Sequence, residues 1–123
     1  MDINTLTGKI IGAAIEVHRE LGPGLLERIY EVCLVEELRS LGLKVESQKD
    51  LPIIYKDKFM EEVLRIDLLV EDRVIVELKT AESLLPVHRA QILSYMKLAQ
   101  KEVGLLINFH VALLKNGIER FRL

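Results

Sequence analysis

A single cysteine, Cys33, excludes an internal disulfide and fits a reducing, cytoplasmic setting. Its neighbours Val32 and Leu34 are apolar, which suits a thiol packed in a helix better than a reactive one. No stretch approaches the ~18 uninterrupted apolar residues that a membrane-spanning helix needs. The N-terminal Met1-Asp-Ile-Asn-Thr5 carries neither the basic nor the apolar region of a secretory signal. Repeats, low-complexity tracts and linkers are missing. So is a glycine-rich GxGxxG loop, which leaves a small-molecule pocket without support. Cys33, His18, His88 and His110 are too scattered for a zinc site. The formal net charge of −2 provides no overall attraction to nucleic acid. A local basic surface would have to supply it.

What is present is a chain of 123 residues, half of them hydrophobic, enough for a single domain (1–123) with a real core. Asn4 or Thr5 can cap a first helix, in which Leu6, Ile10, Ala13, Ala14 and Val17 recur at helical spacing. Leu21-Gly-Pro-Gly24 stops it, and His18 near its C-terminus suits the helix dipole. A second helix is expected from Leu25 to Leu41, burying Leu26, Ile29, Cys33 and Leu38, and ending at Gly42. Strands follow at Leu43–Gln48 and Leu51–Tyr55, with Pro52 marking an edge or a strand start. Another runs from Phe59 through Asp67 after the turn at Lys56-Asp-Lys58. Pro86 opens a helix over Val87–Lys101. Val103–Phe109 reads as a buried strand, and Asn116-Gly117 turns into an edge strand over Ile118–Phe121. Two helices, three or four strands, a helix and two strands give a mixed α/β sheet with helices packed against it.

The chemistry concentrates between Arg65 and Thr80. Leu68–Val70 and Val74–Val76 flank Glu71-Asp-Arg73, the pattern of a β-hairpin. Asp67 falls on the first strand. Glu77 and Lys79 share one face of the second, while Val76 and Leu78 take the other. Such charges also describe the solvated face of an amphipathic strand. Here, however, they interrupt apolar runs, and a charge embedded in a buried strand needs a partner or a metal. Glu27 and Tyr30, three apart, share a helix face, although an acid in a first turn also serves the dipole. His88, Gln91 and Tyr95 line one side of the later helix. An amphipathic helix accounts for Tyr95 more easily than for Gln91.

Asp67 followed by Glu77-Leu-Lys79 resembles the PD-(D/E)XK nuclease superfamily. Gly24-Leu-Leu-Glu-Arg-Ile-Tyr30 is similar to the element that names its GxxExxY family, and Pro86-Val-His-Arg-Ala-Gln91 follows the hairpin as it does there. The resemblance covers nearly the whole chain, with its motifs in the family's order. It implies a restriction-endonuclease-like αβββαβ core, with the first helix as an addition. It also implies a nuclease that hydrolyses phosphodiester bonds, with DNA as the expected substrate and magnesium, or manganese in its place, as cofactor. Asp67, Glu77, the Leu78 carbonyl and Glu27 would hold the cation, which prefers hard oxygen ligands and keeps several waters. Lys79 would orient or deprotonate the attacking water or stabilise the phosphate. Gln91 would hold a water or phosphate oxygen, and Tyr30 and His88 would support the site. The alternative is a non-catalytic module of the same fold that binds a protein or nucleic acid. With no second domain or basic tail to recognise a substrate, a protein partner or a homodimer is expected as well.

Overall fold

A computed structural model describes residues 1–123. Its helices are α1 (Ile3–Leu21), α2 (Glu27–Ser40) and α3 (Pro86–Ala99). Its strands are β1 (Val45–Tyr55), β2 (Lys58–Val70), β3 (Val74–Lys79), β4 (Val103–Asn108) and β5 (Ile118–Arg122). The strands lie in sequential order in one sheet. Neighbours are antiparallel except β3 and β4, which are parallel and joined through α3. From α2 onward the order reads αβββαβ, with α1 ahead and β5 behind. This is the expected mixed α/β sheet with an additional first helix. No helix is long and apolar enough to cross a membrane.

The sheet is buried on both faces. Leu68, Val70, Val74, Val76, Leu78, Leu105 and Ile107 pack under α1 and α2. Ile66, Leu69, Ile75 and Leu106 pack under Ile92 and Met96 of α3. Each fully buried Leu or Ile contributes roughly 1.5–3 kcal/mol, so this double burial fixes which face of β3 each residue takes. Gly104 lets α3 sit close, since a Cβ there would stand 2.8 Å from Met96 Sδ.

Several local expectations are corrected. The cap of α1 is Asp2, whose Oδ1 accepts the Thr5 N–H at 2.8 Å, because the helix begins two residues earlier than the apolar stripe suggests. The buried stripe of α2 is Tyr30, Glu31, Leu34 and Leu38. Of the expected set only Leu38 is fully buried, and Leu26 is 77% exposed. Tyr30 and Glu31 find hydrogen-bond partners inside, so the helix turns a face with two polar groups inward. The segments at Leu43–Gln48 and Leu51–Tyr55 are one edge strand, β1, with Gln48 in the left-handed region (φ 52) and a register irregularity at Pro52. Finally, α3 ends at Ala99, where Gln100 takes a left-handed C-cap (φ 57), and Asn116-Gly117 lies in a 3-10 turn, Leu114–Gly117, before β5.

Candidate active site

The β2–β3 hairpin turns through Glu71 and Asp72, both at positive φ, with the Arg73 N–H returning to the Val70 carbonyl at 3.0 Å. Its backbone ladder spans only Leu68–Val70 against Val74–Val76. One residue further, side chains take over. The Asp67 N–H donates to Glu77 Oε2 at 2.7 Å, and the Leu78 N–H donates to Asp67 Oδ2 at 2.8 Å. The two carboxylates therefore close the split end of the ladder reciprocally, each holding a backbone donor of the other strand.

Strand β2 also changes face here. Residues two apart normally share a face, yet Ile66 packs under α3 and Leu68 under α1 and α2. On the neighbouring strand, Val45 belongs to the larger core, whereas Leu51 lines a groove with Ile66 and Leu69. The break in both strands falls at Gln48 and Asp67. The register pairs Ser47 with Leu68 and Lys49 with Ile66, so these two residues stand opposite each other.

Glu77, only 3% exposed, shares with Lys79 the α3 face of β3. Its pKa is pushed up to about 8, first by burial and then by repulsion from Asp67, with the Lys79 ammonium pulling the other way. Burial raises Asp67 as well, against the hydrogen bond from Leu78. Half-exposed Glu27 is also raised, by burial and then by the charge of Asp67. It makes no hydrogen bond to the cluster, and its helix packs on the other face of the sheet. It is nevertheless close enough to feel Asp67 and Lys79, and Glu77 feels it in turn. Burial first, and then neighbouring carboxylates (Asp67 at Glu27 and Glu77, Glu31 at Asp67), thus raise the proton affinity of three carboxyl groups around one lysine.

Lys79 is held from α3. Its Nζ donates to Gln91 Oε1 at 3.1 Å, and Gln91 Nε2 donates to Tyr95 Oη at 3.1 Å. The end of β3 is pinned by buried Asn108, whose Nδ2 donates to the Ala81 carbonyl at 2.8 Å and whose Oδ1 accepts the Ala81 N–H at 3.1 Å. Tyr30 and His88 face other tasks. The Tyr30 hydroxyl donates to the Gly22 carbonyl and accepts the Leu25 N–H, while its ring stacks on Phe109 at 4.5 Å. His88 Nδ1 accepts the Leu85 N–H at 3.0 Å, capping α3. Neither hydrogen-bonds the carboxylates.

Two side chains that sequence reasoning missed touch the cluster directly or at one remove. Gln48 Nε2 donates to Asp67 Oδ1 at 3.3 Å and to Glu31 Oε1 at 2.6 Å. Glu31, 4% exposed, also accepts from Arg28. The available signal was the helical spacing of Glu31, one turn beyond Glu27. Tyr95, on the Gln91 stripe, does more than pack, since its hydroxyl accepts from the Gln91 amide.

The donor set is all oxygen, which suits a hard divalent cation. Asp67 and Glu77 each leave one oxygen not engaged by the other strand. The N–H and C=O of a strand residue point to the same edge, so the Leu78 carbonyl faces the side on which its N–H meets Asp67. No three His, Cys, Asp or Glu side chains stand at ligating spacing. A cation would therefore draw on the Leu78 carbonyl and on water for its remaining positions.

No curated protein and no solved structure matches this chain. Residues 4–121 match the sequence model of the PD-(D/E)XK nuclease superfamily, and the chain belongs to that superfamily.

Proposed function

We propose that this protein is a metal-dependent nuclease of the GxxExxY type that hydrolyses phosphodiester bonds, with DNA as substrate. The observation that carries the reading is the Asp67–Glu77–Lys79 cluster, where buried Glu77 and half-buried Asp67 close the split end of the β2–β3 ladder beside a positioned lysine. Asp67, Glu77 and the Leu78 carbonyl would hold magnesium or manganese, with water in the remaining positions and Glu27 adding negative charge from α2 without being at ligating spacing. Bound there, such an ion lowers the pKa of a coordinated water and neutralises charge building on the phosphate.

The chain's own residues do the rest. Lys79 presents a positive charge on the same strand face as Glu77, close enough to act on the Glu77 and Asp67 carboxyl groups. In the transition state that charge offsets the developing negative charge, an effect worth about a hundredfold or more when a single donor is lost. Gln91 and Tyr95 hold the ammonium from α3 and limit its swing. Buried Glu77, neutral below about pH 8 when alone, gives up its proton on taking a cation, so metal binding is expected to tighten with pH.

Titration with magnesium and manganese tests the reading, with thermal stability and plasmid integrity followed together. The expected result is a rise in melting temperature and cleavage of the plasmid, both lost on chelation. A protein whose melting temperature ignores both ions and which cuts nothing is instead the binding module. Each carboxylate already holding a backbone N–H of the opposite strand is the feature that such a module would share.

A further inference from the structure

We propose that Gln48 and Glu31 are positioning residues that set the carboxylate of Asp67. The proposal rests on the nuclease reading only in giving Asp67 a task. The geometry itself stands apart from that reading.

Gln48 occupies a left-handed backbone conformation (φ 52), uncommon for a residue with a side chain. An outlier of this kind persists where its surroundings hold it. It stands opposite Asp67 at the place where β1 and β2 both change face. Its amide group offers two N–H donors, and both find carboxyl oxygens: Glu31 Oε1 at 2.6 Å and Asp67 Oδ1 at 3.3 Å. Ionised carboxylates only accept, so the amide nitrogen has to face them, and its orientation is fixed by its neighbours. The shorter bond runs to Glu31 and the longer to Asp67. Glu31 therefore anchors the amide, whose second N–H goes to Asp67.

Glu31 is itself fixed. It is buried on α2, with Arg28 on its other oxygen. The chain of contact thus runs from α2, through β1, to Asp67 Oδ1, while Asp67 Oδ2 accepts the Leu78 N–H. Both oxygens of Asp67 are oriented, one from each side. Carboxylates that serve a cation are commonly held in this way, and loss of the holding partner costs 10–100-fold in affinity or activity. A glutamine suits the place for a physical reason. Glutamate would set a third carboxylate between two others, and an apolar side chain would leave Asp67 free to rotate.

The test uses Gln48→Leu, close in size but without donors, and Glu31→Gln, which keeps a side-chain oxygen to accept the Gln48 amide while removing the charge. The primary readout is amide hydrogen exchange in metal-free protein at the Leu78 N–H, with Val76 in the intact ladder as internal control. Gln48→Leu should speed exchange at Leu78 about fivefold or more while Val76 stays at its wild-type rate. Glu31→Gln should fall between it and wild type. Manganese affinity, read by thermal shift, should drop about tenfold in Gln48→Leu. Unchanged exchange at Leu78 overturns the proposal, as does a parallel rise at Leu78 and Val76, which reports general loosening. If wild type neither binds manganese nor cuts DNA while Leu78 alone is loosened in Gln48→Leu, the nuclease reading fails and the positioning role stands.

Discussion

Replacing Glu77 by glutamine in metal-free protein should stabilise the fold, and the gain should grow with pH. The folded-state pKa of Glu77 is about 8 against an ordinary 4.5. Between those values the folded chain retains a proton that the unfolded chain has released. Stability is therefore lost as pH rises through this window, and the Glu77 contribution is fully present only below about pH 4.5. At about 1.4 kcal/mol per pH unit, the complete loss is on the order of 5 kcal/mol above pH 8. That is a large part of the ~5–15 kcal/mol that holds a typical domain together. Glutamine has nearly the same shape. Its carbonyl oxygen can still accept the Asp67 N–H, and its amide can donate to the Asp67 carboxylate. The variant escapes the titration and also relieves Asp67 and Glu27 of one repelling neighbour. Urea unfolding in chelator should show little difference at about pH 5 and a gain of about 2 kcal/mol or more at about pH 9. A difference that does not change with pH, or a variant that is weaker at high pH, would refute the cation-site electrostatics. It would mark Glu77 and Lys79 as a structural pair.

Lys79→Ala should reduce cleavage about a hundredfold or more while leaving magnesium affinity unchanged or improved, measured by cleavage kinetics beside metal titration. In a pure binding module the same change would instead flatten the salt dependence of nucleic-acid binding by about one charge. Tyr30→Phe should cost about 1 kcal/mol of stability by removing the hydroxyl that bonds both the Gly22 carbonyl and the Leu25 N–H, with cleavage per folded molecule within a factor of a few of wild type. Gly117→Ala should destabilise more than Gly104→Ala in thermal unfolding. Its new Cβ would meet the Asn108 backbone oxygen at 2.3 Å, whereas at Gly104 the nearest atom is the flexible end of Met96.

The parts of this fold that announced themselves in the sequence were those governed by short-range rules. Alternation along β3 put Glu77 and Lys79 on one face. Pro86 marked the start of α3, and the polar break at Glu71-Asp-Arg73 marked the hairpin. The helix faces were harder, because burial of α2 is decided by partners far along the chain. Tyr30 is drawn inward by the Gly22–Leu25 loop and by Phe109, and Glu31 by Gln48 on β1. Leu26 and Ile29, the more apolar residues, are left outside. Nor could a pattern reveal that Gln48 meets Asp67, since that depends on a left-handed residue within an edge strand and on the register of β1 against β2. The motif residues fared unevenly for a related reason. Gln91 reaches Lys79 from one face of a helix, a contact that its place on the stripe does not reveal because it depends on how α3 sits over β3. His88, on the same stripe, is used up in capping that helix.

The most direct test of the central claim is the rate at which duplex and single-stranded DNA oligonucleotides are cut with manganese or magnesium and with chelator, comparing wild type with Glu77→Gln. Both proteins should be fully folded under the assay conditions, since the substitution is expected to stabilise. Cleavage by wild type that depends on the ion and falls at least about a hundredfold in the variant is the predicted result. No cleavage by wild type on either substrate, or equal rates for the two proteins, would contradict it.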